Sequence, residues 1–225
     1  MTPAGVPRRA PRIAWVGTYE RGYPRARVLI GGLRALGCEV VECHRPVWER
    51  VTHKAGGLLS PAGMARMGAR HVGAWARIAR EQRRLGHLDA VVAGYLAQPD
   101  AVPAWAVARA HRAPLVVDMM ISLADTLVGD RGRAGRAAGA VLAGVDRLTL
   151  ALADLVLADT AADAAFLVRR FGVRPAKVAV VPVGAEPARF PPSPPPPGPP
   201  VALWYGKLAP MHGLDVLLAA ARMPG

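Results

Sequence analysis

The chain has 225 residues, 52% of them apolar and 5% aromatic, and 29 Lys and Arg against 16 Asp and Glu give it a net charge of +13. This length suffices for one large domain, or for one domain and part of a second. Two cysteines are too few for a disulfide framework, and no window of about 20 apolar residues predicts a membrane-spanning helix. We also expect no signal peptide.

The positive charge comes almost entirely from arginine, since Lys54, Lys177 and Lys207 are the lysines of the sequence. Arginine suits phosphate recognition, so a nucleotide-activated substrate or anionic lipid is a plausible partner class. Part of the Arg, Ala and Pro bias is also typical of GC-rich coding. Nucleic-acid binding would depend on charge alone, and we do not expect it.

The two cysteines, Cys38 and Cys43, flank one predicted strand without a CxxC spacing or a second pair. We therefore expect reduced cysteines and no metal site.

Apolar runs alternate with segments of helical spacing along most of the chain. The opening is a βαβ unit, with a strand over 12–18, a helix over 24–37 and a strand over 38–44. Further strands are predicted over 88–95, 113–120, 154–159 and 177–186, and helices over 60–86, 98–112, 135–153 and 161–172. This alternation predicts an α/β fold with a Rossmann-like, doubly wound parallel sheet.

Local signals mark the helix ends. Gly37 is placed to end the first helix, and Ser60 precedes Pro61 at the predicted start of the second. Thr160, with Asp163 three residues later, forms a capping pair for the helix over 161–172.

A Pro-rich run, PPSPPPPGPP over 191–200, cannot enter a helix or a central strand, so it predicts a linker. The expected organisation is one domain over 1–190 and the start of a second Rossmann-like domain over 201–225. In that second part, a strand at VALWYG leads through a glycine loop into a helix.

The candidate ligand residues of the first domain follow predicted strands, where doubly wound folds bind ligands. Gly17 ends the first strand, but the fingerprint GxGxxG is absent, which disfavours a nicotinamide oxidoreductase. Asp118 and Asp125 are weak candidates to orient a sugar hydroxyl or to act as a base. The alternatives are a glycine needed only for its turn and, for Asp118, a turn or cap residue.

Near the C-terminus, Gly206 ends the predicted strand, Lys207 follows, and His212 lies where the next helix begins. Helix N-termini favour anions and an adjacent cation strengthens the effect, so these residues predict a diphosphate site. His212 acting only as a helix cap is the alternative.

The segment over 61–86 is amphipathic and basic. Its apolar stripe is Met64, Met67, Trp75, Ile78 and Leu85, and its basic side is Arg66, Arg70, Arg77, Arg80 and Arg84. One interpretation is a peripheral membrane helix. The other is a surface helix whose stripe packs on the sheet and whose arginines face water, and we favour it slightly.

Four segments in this order resemble GT-B glycosyltransferases of the glycosyltransferase 4-like group. They are GTYERGYPRARVLIGGLRALGCEV, DLVLADTAADAAFLVRRFG, KVAVVPVGAEPARF and YGKLAPMHGLDVLLAAA. The resemblance implies two facing Rossmann-like domains, the first holding the acceptor and the second a nucleotide-sugar donor. It places Gly17, Gly206, Lys207 and His212 at the donor diphosphate.

The sequence departs from the pattern of that group at several points. Val183 stands where its members usually have Asn, and Glu186 where they have Asp. Lys207 and His212 take the places of the usual Arg and Lys. The group's Glu-x₇-Glu element is not reached, so we expect a fragment or truncated chain, or a separate chain that carries the missing donor domain.

The resemblance therefore implies sugar transfer from a nucleotide-sugar to the hydroxyl of a glycan or lipid-linked acceptor, without a metal or another cofactor. The alternative is a non-catalytic module, left by truncation, that binds an acceptor or a membrane. We expect a cytoplasmic location, peripheral at the inner face of the membrane if the basic helix docks there.

Overall fold

A computed structural model of the protein describes residues 9–49, 61–130, 135–186, 188–194, 197–199, 201–206 and 212–223. Within these segments, six parallel strands form one sheet: β1 (Arg12–Gly17), β2 (Glu39–His44), β3 (Ala90–Ala93), β4 (Leu115–Asp118), β5 (Leu155–Ala158) and β6 (Val178–Val180). The described helices are α1 (Pro24–Ala35), α2 (Pro61–Glu81), α3 (Ala101–Ala110), α4 (Arg136–Leu152), α5 (Ala161–Phe171) and α6 (Leu214–Ala220).

The strand order β2-β1-β3-β4-β5-β6 reverses direction at β1, which pairs with both β2 and β3. Right-handed crossovers in opposite directions place helices on opposite faces of a sheet. Accordingly, Ile30 of α1 packs with Trp15 and Val40 on one face. Helices α2 to α5 contribute buried residues such as Ile78 and Leu167 to a larger core on the other face. The predicted α/β doubly wound fold is confirmed.

Two of the predicted helix signals are confirmed by the geometry. The Thr160 hydroxyl accepts a hydrogen bond from the backbone N–H of Asp163 at 3.0 Å, as an N-cap does. Gly37 follows α1 with φ of 83°, a conformation that favours glycine. The predicted cap at Ser60 lies outside the described residues.

Two strand predictions differ from the structure. The predicted strand over 177–186 is only Val178–Val180, because Val181 makes the last backbone hydrogen bond to β5, at the carbonyl oxygen of Ala158, and Pro182 has no N–H to donate to a ladder. The predicted strand over 201–206 is not formed, since these residues pair with no other described strand. They are largely exposed, as is α6, which follows them.

A buried ion pair joins α1 to the centre of the sheet. Nε and Nη2 of Arg25 donate to the Asp118 carboxylate over 2.9 to 3.2 Å, and the two side chains are 2% and 0% exposed. Nη1 of Arg25 donates to the carbonyl oxygen of Val181 just after β6, at 2.5 Å. One guanidinium thus connects α1, β4 and the chain that leaves β6.

Removing this guanidinium should destabilise the fold strongly, because it leaves a buried carboxylate without its partner. We expect Arg25→Leu to lower the free energy of unfolding by about 3–5 kcal/mol in urea denaturation. Arg25→Leu/Asp118→Leu should recover much of that loss. Arg109→Leu, which breaks an exposed ion pair with Asp154, should cost less than about 1 kcal/mol. Equal losses in Arg25→Leu and Arg109→Leu would contradict this role.

The penalty should also depend on pH. Burial raises the pKa of the Asp118 carboxyl and Arg25 partly offsets that rise, so without Arg25 the folded-state pKa climbs further above the unfolded value. A group with a raised folded-state pKa stabilises the fold while it is protonated. The penalty of Arg25→Leu should therefore be smaller at a pH of about 5 than at about 8.

Candidate functional site

The carboxyl ends of the parallel strands meet at one edge of the sheet, where doubly wound folds bind their ligands. At the end of β1, Gly17 has φ of 138°. A β carbon added to it would lie 2.5 Å from Oδ2 of Asp100, which precedes α3. The fold therefore needs glycine here because a buried carboxylate occupies the adjacent space. The predicted role of Gly17 at a donor phosphate stays a prediction.

Asp100 fixes the loop after β1. Its Oδ2 accepts hydrogen bonds from the backbone N–H and the hydroxyl of Thr18 at 2.6 and 2.9 Å, and its Oδ1 accepts from Trp75 Nε1 at 3.1 Å. Burial raises the pKa of Asp100, and the hydrogen bonds from Thr18 and Trp75 oppose that rise. This carboxylate is fully engaged in shaping the loop.

The structure places the two carboxylate candidates differently. Asp118 is buried at the end of β4 and bound to Arg25, so its geometry is that of a positioning residue. Asp125 lies in the segment after β4, where Leu123 and Ala124 lead into a short π-helical turn over Asp125–Asp130. Only Asp125 of the two reaches a depression at the carboxyl edge.

That depression, which we call the β4–α5 pocket, lies between the exit loop of β4 and helix α5. It has a volume of about 110 Å³. Its polar lining is Ser122, Asp125, Thr126 and Asp163, and its apolar lining is Met119, Met120, Ile121, Phe166 and Leu167. Carboxylates beside apolar walls resemble the lining of small-molecule sites, in which few polar groups fix the orientation of a ligand.

Asp146 of α4 holds the loop that forms one wall of this pocket. Its buried carboxylate accepts hydrogen bonds from the Ser122 hydroxyl at 2.8 Å and from the N–H groups of Leu123 and Ala124 at 3.1 and 3.0 Å. Gln98 donates to it at 3.3 Å and to the carbonyl oxygen of Ile121 at 2.8 Å. Asp146 is not among the candidates predicted from the sequence, although an isolated carboxylate on the buried side of an apolar helix is a usable signal.

Asp159 and Asp163 form a pair of carboxylates at the start of α5, beside the pocket. Burial, followed by the hydrogen bond and charge of Asp163, raises the pKa of Asp159. The Thr160 hydroxyl also contacts the Asp163 carboxylate. Asp163, predicted only as a capping partner, therefore also lines the pocket, and its neighbour Asp159 is more readily protonated than an ordinary aspartate.

The predicted diphosphate residues are only partly described. A β carbon added to Gly206 would lie 3.3 Å from Nδ1 of His212, so the structure brings these two residues together. Lys207 lies outside the described residues. The predicted phosphate contacts of Gly206, Lys207 and His212 stay predictions.

Helix α2 presents a basic face to solvent. The exposed arginines of α2 and the turn that follows it are Arg66, Arg70, Arg77, Arg80, Arg83 and Arg84. The acidic residue of this stretch, Glu81, is paired with Arg45. On the other side of the helix, Ile78 and Leu85 are buried, and Met67 packs against a small core. The structure does not describe the side chain of Met64. The apolar stripe thus packs on the domain, as the favoured interpretation predicted.

The described part of the chain contains neither a membrane-spanning helix nor a metal-binding cluster. None of its helices is long and apolar enough to cross a membrane. No group of three or more His, Cys, Asp or Glu side chains in that part is arranged to hold a metal ion.

The parallel sheet with helices on both faces defines a Rossmann-like α/β domain, a fold class in which ligands bind at the carboxyl ends of the strands. Sequence comparison gives the family. Residues 10–184, well over half of the chain, match the profile of the glycosyl transferase 4-like domain. The chain belongs to this glycosyltransferase family, and the predicted resemblance is confirmed at that level. No curated protein matches the sequence.

The close approach of Gly17 to the Asp100 carboxylate can be tested with a matched control. We expect Gly17→Ala to destabilise the protein by at least about 2 kcal/mol, because the new methyl group overlaps Asp100 and φ is unfavourable. Gly22→Ala should be nearly neutral, since an added β carbon has no neighbour within 4 Å there. Thermal unfolding followed by circular dichroism measures both, and similar melting temperatures for the two variants would contradict the packing described.

Proposed function

We propose that the protein belongs to a sugar-transfer reaction in which this domain holds the acceptor. The sugar comes from a nucleotide-sugar and passes to a hydroxyl of a glycan or lipid-linked acceptor. The observation that carries the proposal is the β4–α5 pocket at the carboxyl edge of a domain that belongs to the glycosyl transferase 4-like family.

The chemistry of the pocket suits a hydroxyl-bearing group. The carboxylates of Asp125 and Asp163 accept hydrogen bonds, and hydroxyl groups donate them. Met119, Met120 and Phe166 offer apolar surface against which the C–H faces of a sugar ring can pack. At about 110 Å³, the pocket is smaller than typical small-molecule sites of about 300–1,000 Å³, so it would hold only a small part of an acceptor.

In the proposed reaction, the acceptor oxygen forms a bond to the anomeric carbon of the donor sugar while the bond to the nucleoside diphosphate breaks. The acceptor hydroxyl loses its proton, and a carboxylate of the pocket accepts it. Asp125 and Asp163 are the candidates. The negative charge that develops on the leaving diphosphate needs cationic or N–H partners, which the family resemblance assigns to Lys207 and His212.

Binding of simple acceptors tests the pocket. The probe is a monosaccharide or polyol that binds the wild-type protein in calorimetry. We expect Asp125→Asn to weaken its binding by about tenfold, because a charged hydrogen-bond acceptor becomes neutral. Glu39→Gln changes an exposed carboxylate at the opposite edge of the sheet and should bind like the wild type. Equal affinities in all three proteins would count against the pocket.

The donor half of the proposal needs its own measurement. Calorimetric titration with UDP-sugars and GDP-sugars distinguishes sugar transfer from a module that binds only an acceptor. Micromolar donor binding that is lost in Lys207→Ala would support transfer. Acceptor binding without measurable donor binding would favour the non-catalytic alternative.

A second candidate function, docking on an anionic membrane, is supported by the exposed arginines of α2. Because the apolar stripe of this helix is already buried in the domain, docking would be electrostatic, with the helix lying on the headgroups instead of inserting among them. Such a surface would also bring a lipid-linked acceptor close to the domain.

Vesicle co-sedimentation tests the membrane candidate. We expect Arg70→Glu/Arg77→Glu to reduce binding to phosphatidylserine vesicles by about tenfold or more, since each basic residue near the surface contributes about 1 kcal/mol. Arg169→Glu/Arg174→Glu makes the same change in net charge elsewhere on the surface. Identical losses in both variants, or binding that high salt does not reduce, would overturn this candidate.

A further inference from the structure

A second depression lies on the other side of the domain, between α1 and the edge strand β2. We call it the α1–β2 groove. Its volume is about 330 Å³, and it is lined by Arg21, Arg27, Ile30, Gly31, Arg34, Glu42 and Glu186. It shares no lining residue with the β4–α5 pocket, and it lies on the opposite face of the sheet, where α1 packs.

The amino-acid sequence places three arginines along this groove. Arg27 and Arg34 are seven residues apart on α1 and therefore lie on one side of the helix, two turns apart. Gly31 lies between them, and a β carbon there would meet no atom within 4 Å. The space over Gly31 is thus open, with a guanidinium on each side and a third, from Arg21, nearby.

Two of these arginines are anchored by Glu42. Arg34 Nη2 donates to Oε1 of Glu42 at 3.1 Å, while Arg21 Nε and the Tyr19 hydroxyl donate to Oε2 at 3.2 and 2.8 Å. Burial alone would raise the pKa of Glu42, but these hydrogen bonds and charges outweigh it and hold the pKa below its usual value. Arg21 and Arg34 are therefore oriented by an ionised carboxylate.

Arg27 is less well satisfied. Its Nη2 lies 2.8 Å from Oε2 of Glu186, yet neither Arg27 Nε nor that oxygen has a hydrogen-bond partner among the residues described, although both atoms are buried. The contact is an ion pair without good hydrogen-bond geometry. A buried guanidinium N–H with no acceptor is costly, so Arg27 would gain a hydrogen bond if its side chain turned from Glu186 toward a ligand oxygen in the groove.

The charges of the groove favour an anionic ligand. Three guanidinium groups face two carboxylates, which leaves one positive charge in excess, and a guanidinium matches the oxygens of phosphate or carboxylate in a bidentate way. The volume is at the lower end of the range of small-molecule sites.

We propose that the α1–β2 groove binds a small metabolite that carries a phosphate or carboxylate group, such as a sugar phosphate or sugar acid, and that this group engages Arg27 in place of Glu186. The proposal is independent of sugar transfer at the β4–α5 pocket.

Displacement of Glu186 would have a structural consequence. The chain from Val181 to Glu186 runs from β6 to α1, where Gly184 lies against Val28 and Glu186 against Arg27. Arg25 holds the start of this segment through the carbonyl oxygen of Val181. An anion in the groove would thus remove the contact of Glu186 with Arg27, while Arg189, whose Nη1 lies 3.6 Å from Glu186 Oε2, stays beside that carboxylate.

Titrations at constant ionic strength, with NaCl as the balancing salt, test the proposal on the whole chain. The probes are inorganic phosphate, glucose 6-phosphate, glucuronate and uncharged glucose, and the readouts are calorimetry and the Nε–Hε signal of Arg27 in NMR spectra. We expect binding of at least one oxyanion, with a shift of the Arg27 signal, and no response at this signal to glucose. A preference for glucose 6-phosphate or for glucuronate identifies the source of the oxyanion.

Two variants should move the affinity in opposite directions. Arg27→Gln should weaken oxyanion binding about tenfold, because a charged donor is lost. Glu186→Gln should tighten it, because the competing carboxylate is removed. Arg70→Gln on α2 removes one positive charge far from the groove and should have no effect. Unchanged affinity in both Arg27→Gln and Glu186→Gln, or an equal loss in Arg70→Gln, would overturn the proposal.

Discussion

The buried pair of Arg25 and Asp118 is the constraint on which the carboxyl edge of the sheet depends. A carboxylate with no solvent exposure at the end of a central strand is costly unless a cation neutralises it. The first turn of α1 supplies that cation, which also binds the chain leaving β6. Because Met119 directly follows Asp118 and its N–H donates to the carbonyl oxygen of Leu157, the exit loop of β4 begins from a fixed point. That loop forms a wall of the β4–α5 pocket.

Two other buried carboxylates extend this arrangement. Asp100 binds the loop after β1, and Asp146 binds the loop after β4. Each accepts hydrogen bonds from the loop that it binds and from one further side chain, Trp75 for Asp100 and Gln98 for Asp146. Each therefore defines the shape of the edge and leaves no acceptor for a substrate. Asp125 and Asp163 differ because they line a pocket. The carboxylates of this edge thus divide into those that position loops and those that face a cavity, and an acceptor would bind at the second kind.

The sequence predicted the parts of the structure that depend on local chemistry. Apolar runs gave the six strands, and the capping of α5 by Thr160 was visible because donor and acceptor are three residues apart. The pairing of Asp118 with Arg25 could not be predicted from the sequence. The two residues are 93 positions apart, and an Arg or an Asp taken alone is typical of an exposed surface position. Because this pairing is not visible in the sequence, Asp118 is a catalytic candidate when the sequence is read alone.

The strand predicted over 201–206 is an error of another kind: a local pattern is present but the structure does not follow it. An apolar run forms a strand only where another strand pairs with it.

Acceptor binding in the β4–α5 pocket is the step on which the proposed sugar transfer depends. Mapping amide chemical-shift changes on the isotope-labelled chain, during titration with a panel of monosaccharides and polyols, tests it most directly. We expect a bound acceptor to shift the amide signals of 119–126 and of the first turns of α5, and to leave the signals of the opposite edge, around Asp89, unchanged. Binding that shifts signals only outside these two segments, or no binding by any member of the panel, would contradict it.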